Sequence, residues 1–173
     1  MGAGAKKTTN LPPTLNSLAL NSQSSMSYLK EGLFEQAAQL RPDMQPEWGS
    51  MTAQHIIEHF IMALAISSGV LDMPVMGKPE RIQKNYESVI TNDEPLAKGI
   101  KLPFVSETPM PYEYASIADA IEQLRGAVER FYAYFAQNPD AKPNHPAFGG
   151  LSFAEWERFH EKHFKHHFSQ FGI

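Results

Sequence analysis

The chain has 173 residues, 42% hydrophobic and 20% charged, with a formal net charge of −4 and no cysteine. That is enough for one domain with a real core and short for two, and it excludes disulfides, thiolate metal sites and cysteine nucleophiles. The acidic balance argues against nucleic acid as a partner, and no apolar run approaches the roughly 20 residues of a membrane span.

Residues 1–23 are rich in Gly, Ala, Thr, Asn, Ser and Pro, hold no acidic residue, and read as a loose N-terminal tail. Leu15, Leu18 and Leu20 offer an alternative, an extended arm docked on the body. No long apolar stretch follows Lys6-Lys7, so no secretory signal is expected and the chain reads as cytoplasmic. Lys6 also removes the myristoylation reading of Gly2.

From Ser24 or Ser25 to Leu40, Met26, Leu29, Leu33, Phe34 and Ala37 recur at spacings of three and four, which predicts a first helix. Arg41-Pro42 ends it, because a residue before proline avoids the α region. A second helix is expected from about Thr52 to Val70, capped by Ser50 or Thr52. Ile56, Ile57, Phe60, Ile61, Met62, Leu64 and Ile66 make it apolar nearly all round, so it should be well buried.

Residues 71–115 carry Pro74, Pro79, Pro95, Pro103, Pro109 and Pro111, and read as irregular apart from a short helix over Arg81 to Ile90. Ser116 opens a third helix to about Gln137, with Asp119 completing a capping-box pattern. Ser152-Phe-Ala-Glu155 opens a fourth, to about Phe171. Four long helices without a convincing strand predict an all-α four-helix bundle over residues 24–173. The connection of about 45 residues between helices 2 and 3 is long enough for a crossover, which lets those two run parallel.

Four of the seven histidines fall on the last helix. At about 100° per residue, Trp156, His160, His163 and His167 share a narrow arc between Phe153 and Phe171, while His166 is at its edge. Arg158, Glu161, Lys162 and Lys165 take the opposite side. On helix 2, His59 turns toward the core beside Ala63 and Ile66, while His55 lies nearer the polar strip of Gln54 and Glu58. One helix-2 histidine can therefore meet a pair from helix 4 across a bundle.

A single inward histidine is more often a satisfied core residue than a ligand. Several together are costly unless something accepts their lone pairs, and a metal ion does so. Three histidine ligands leave a fourth position for water or substrate, the layout of a catalytic zinc site. His145 precedes a proline, where a turn role competes with a place at the pocket mouth. Trp156 reads as core or as a pocket wall. No Ser-His-Asp signature, phosphate loop or EF-hand is visible.

Two blocks carry a family resemblance. One is Trp48-Gly-Ser-Met-Thr-Ala-Gln-His-Ile-Ile-Glu-His59-Phe60. The other runs from His145-Pro-Ala-Phe-Gly-Gly to Trp156 and on through Lys162-His163-Phe-Lys-His-His167-Phe-Ser-Gln170-Phe171-Gly172. With these, the chain resembles an uncharacterised branch of the DinB/YfiT-like superfamily of metal-dependent enzymes. The resemblance implies an up-down-down-up four-helix bundle, and a divalent metal, zinc or nickel, held by His59, His163 and His167. It leaves His55 and His160 as extra histidines, which support the ligands, add a fourth, or play no part in the site. The characterised relatives include transferases and isomerases that use low-molecular-weight thiols, and relatives often form homodimers; a small-molecule substrate is expected here. The function expected is a metal-dependent hydrolase or thiol transferase. The alternatives are a non-catalytic ligand- or metal-binding module of the same fold, and a structural protein whose histidines merely pack.

Overall fold

The computed structural model describes Met1, residues 28–98 and residues 111–173. The rest of the expected tail 1–23, its three leucines and the start of the first expected helix lie outside the described residues, as do Pro103 and Pro109.

Helices carry the described residues. A π-type stretch, Tyr28–Gly32, runs into α1, Leu33–Ala37. Then follow α2, Ala53–Ser67; α3, Pro79–Tyr86, prolonged by a π-type stretch Glu87–Thr91; α4, Ile117–Gln137; and α5, Phe153–Phe168, which tightens into a 3₁₀ turn, Ser169–Phe171. The one sheet among the described residues pairs β1, Asn144–His145, with β2, Gly149–Gly150, antiparallel. The protein is therefore all-α in class.

Local chemistry sets the ends. The Glu155 carboxylate accepts from the Ser152 amide at 2.8 Å and its hydroxyl at 2.6 Å, fixing the start of α5. Ser116 Oγ accepts from Asp119 N at 3.1 Å at the start of α4. The periodicity extends α2 to Val70, but the helix stops at Ser67. Ser67 and Ser68 hydroxyls donate to Leu64 O at 3.1 and 2.7 Å, and Gly69 follows at φ +68°.

The core is one cluster. Phe60, Ile56, Ile57 and Leu64 of α2, Leu124 and Phe131 of α4, and Trp156, Phe164 and Phe168 of α5 are fully buried. Each such side chain contributes ~1.5–3 kcal/mol of burial. α2 packs most extensively on α4. Met62 departs from the all-round burial expected of α2 and stays 47% exposed.

The polar side of α5 is covered in part. Arg158 Nη2 donates to Asn92 O and to Asp93 Oδ1, both at 2.6 Å. Lys162 Nζ donates to Val89 O at 2.8 Å and Asn92 O at 3.1 Å. These two cations hold the end of the π-type stretch after α3 against α5, at carbonyls that a helix terminus leaves unpaired. Glu58 of α2 does the same for the chain before α4, accepting from Glu113 N and Tyr114 N at 3.1 and 3.2 Å.

Candidate metal centre

α2 and α5 bring three histidines together. His59 Nε2 lies 2.9 Å from His163 Nε2, which lies 3.0 Å from His167 Nε2. One ligating nitrogen from each residue falls within 4.8 Å of the others. In a tetrahedral zinc site with bonds near 2.0–2.1 Å, ligand nitrogens stand about 3.3 Å apart, so the two separations at His163 lie within about half an ångström of that spacing.

Hydrogen bonding alone satisfies this cluster poorly. His167 Nδ1–H donates to Gln170 Oε1 at 2.9 Å, which leaves the lone pair on His167 Nε2. His163 Nε2 meets two other Nε2 atoms, yet a neutral ring nitrogen has one hydrogen or one lone pair to offer. His163 Nδ1, on the far side of the same ring, is buried without a partner among the described residues. A cation among the three nitrogens accepts every lone pair directed at it, and this donor set of neutral imidazoles fits a divalent ion.

The surroundings keep the rings neutral. Phe159 stacks on His163, centroids 5.0 Å apart, and Phe60 lies edge-on to it. Burial pushes His59 down to about 4 and His167 to about 3, and holds His163 well below the usual imidazole range, with His167 and His59 adding to the effect. At neutral pH no proton competes for the ligand nitrogens.

The other histidines have other partners. His55 is at the third position of α2, and its Nδ1 lies 2.8 Å from Oγ1 of the capping residue Thr52. Its ring lies against Tyr112 at 4.3 Å. His160 is fully buried. Ser67 Oγ donates to Leu64 O and accepts from His160 Nε2–H at 2.8 Å, so His160 Nδ1 carries a buried lone pair with no partner among the described residues. His166 Nδ1–H donates to Leu96 O at 3.2 Å, and its ring meets Trp48 edge-on.

Of the two pocket candidates, His145 shapes the β1–β2 turn: its Nδ1 accepts from Ala147 N at 3.1 Å and its ring stacks on Phe148. Trp156 is fully buried, and its indole N–H donates to Pro143 O at 3.2 Å. Both pack into the core. A groove of about 410 Å³ beside α1 and α4 is lined by Lys30, Phe34, Arg125, Val128, Glu129 and Tyr132, and includes none of the histidines.

Sequence reasoning gave no role to Ser67, which holds His160, or to Gln170, which orients His167. Spacing signals the second: Gln170 follows His167 by three residues, within reach on the same helix face.

A family model described as "Protein of unknown function (DUF1569)" matches residues 97–172. The matched part spans α4 and α5, with His163, His167 and Gln170, and leaves out α2 with His59. No curated protein and no solved structure matches the chain.

Proposed function

We propose that the protein is a metal-dependent enzyme of hydrolase or thiol-transferase type, acting on a small molecule at an ion held by His59, His163 and His167. The convergence of three Nε2 atoms from two helices is the observation that carries this reading. In the same reading the helices form an up-down-down-up four-helix bundle akin to the DinB/YfiT-like superfamily. A homodimer and a low-molecular-weight thiol co-substrate belong to that likeness.

A bound zinc or nickel ion supplies a Lewis acid with a position open to substrate. The chain's own groups do the rest. His59 brings α2 to the site, and His163 and His167 bring successive turns of α5. Gln170 fixes which nitrogen of His167 faces inward. Phe60 and Phe159 line the rings with apolar surface, which strengthens electrostatic interactions at the site.

The test is elemental analysis of protein purified without a polyhistidine tag or chelating resin. About one divalent ion per chain is expected, and His163→Ala should abolish it. If the protein takes up no divalent ion after reconstitution at neutral pH, the reading is wrong. If it binds metal but reacts with no ester or thiol substrate across a broad panel, the non-catalytic binding module stands instead.

A further inference from the structure

Gln170 is buried. Its side-chain oxygen takes the His167 Nδ1 proton, and its backbone carbonyl accepts from Glu47 N at 2.7 Å. Gly49, at φ +85°, leaves the room its amide fills, since a Cβ there would lie 2.5 Å from Gln170 Nε2. The turn before α2 thus wedges the amide in place, and the amide holds the His167 lone pair toward His59 and His163.

The orienting group carries no charge. Metal-binding histidines commonly donate their other N–H to a carboxylate or a carbonyl, and the choice decides how much of the ion's charge is cancelled. Among the described residues, no carboxylate hydrogen-bonds to or pairs with His59, His163 or His167. Their near neighbours are aromatic rings and further histidines. A divalent ion held by three neutral imidazoles, one of them oriented by a neutral amide, presents its full charge at the remaining position.

We propose that this site takes an anionic group at its open position, and that Gln170 is the positioning residue that leaves the charge uncancelled while holding His167 in its ligating tautomer. The proposal rests on the metal reading above. It names the class of ligand, a small anion or a substrate with an anionic oxygen or sulfur, which a metal centre neutralised by a carboxylate would favour less.

The experiment loads tag-free protein with cobalt(II), titrates it with azide and with acetonitrile, and follows the visible bands. Azide should shift them saturably, and acetonitrile at equal concentration should not. Gln170→Glu keeps an acceptor for His167 and should hold cobalt at least as tightly. It should bind azide about tenfold more weakly, as a unit charge several ångströms away dictates. Gln170→Leu offers no acceptor and should weaken cobalt binding ~10–100-fold.

Equal response to azide and acetonitrile, or unchanged azide affinity in Gln170→Glu, overturns the proposal while intact cobalt bands leave the metal reading standing. Unchanged cobalt affinity in folded Gln170→Leu overturns the positioning role. If that variant does not fold, Gln170→Asn, whose side chain is one methylene shorter and withdraws the acceptor from His167 Nδ1, reads the positioning role in its place. Wild-type protein without cobalt bands sinks both readings together.

Discussion

His145 and His160 are driven to the neutral form by burial, each pushed down to about 3, against about 6.5 in an unfolded chain. Between those values the unfolded chain binds more protons than the folded one. Their contribution to stability is therefore full above about pH 6.5 and lost as pH falls toward the folded value. Each such histidine adds at most ~1.4 kcal/mol per pH unit to the slope. Urea unfolding followed by circular dichroism should show stability falling steadily from pH 7 to 4.5. His160→Leu should flatten that slope by up to one proton's worth, because Ser67 keeps its bond to Leu64 O without the imidazole. A variant with the wild-type slope contradicts the assignment. The 100° rule placed His160, His163 and His167 in one arc, but an arc does not say which nitrogen meets what. Ser67, which separates His160 from the other two, comes from a helix 93 residues away in sequence.

α2 shows how an element redefines its residues. The resemblance leaves His55 as an extra histidine, with a fourth ligand among its readings. The helix uses it at the third position of its capping box, where its backbone N–H and ring nitrogen both meet Thr52. His55→Ala should thus leave the metal content of the protein unchanged and cost about 0.5–2 kcal/mol of stability, as should Thr52→Ala. Elemental analysis beside urea unfolding reads both quantities, and metal loss in His55→Ala would restore it as a ligand. The existence of α2, α4 and α5 and the caps of α4 and α5 were legible, because apolar spacing and capping residues are local signals. What covers the polar side of α5 was not. The sequence places Arg158 and Lys162 only on the side opposite the histidines, yet they bind a segment about 70 residues earlier in the chain. Local periodicity separates polar from apolar faces but does not tell water from a polar partner.

At the scale of the molecule, the three nitrogens belong to helices 104 residues apart in sequence, so the site exists only when α2 and α5 are docked. An ion that binds there favours the folded chain over the unfolded one. At a free concentration 100 times its dissociation constant it adds ~2.7 kcal/mol. For a chain of this size, 1 kcal/mol moves Tm by roughly 2–4 °C, so zinc should raise it by about 5–11 °C. A chelator should return it to the starting value. His59→Ala and His163→Ala should each remove the rise, although one side chain comes from α2 and the other from α5. Scanning calorimetry of the wild type and both variants, each with zinc and with chelator, reads this directly. A rise that survives both substitutions would mean that zinc stabilises the fold elsewhere, since neither helix alone offers the three-nitrogen set. Loss of the rise in both ties the stability of the whole fold to an ion shared by α2 and α5.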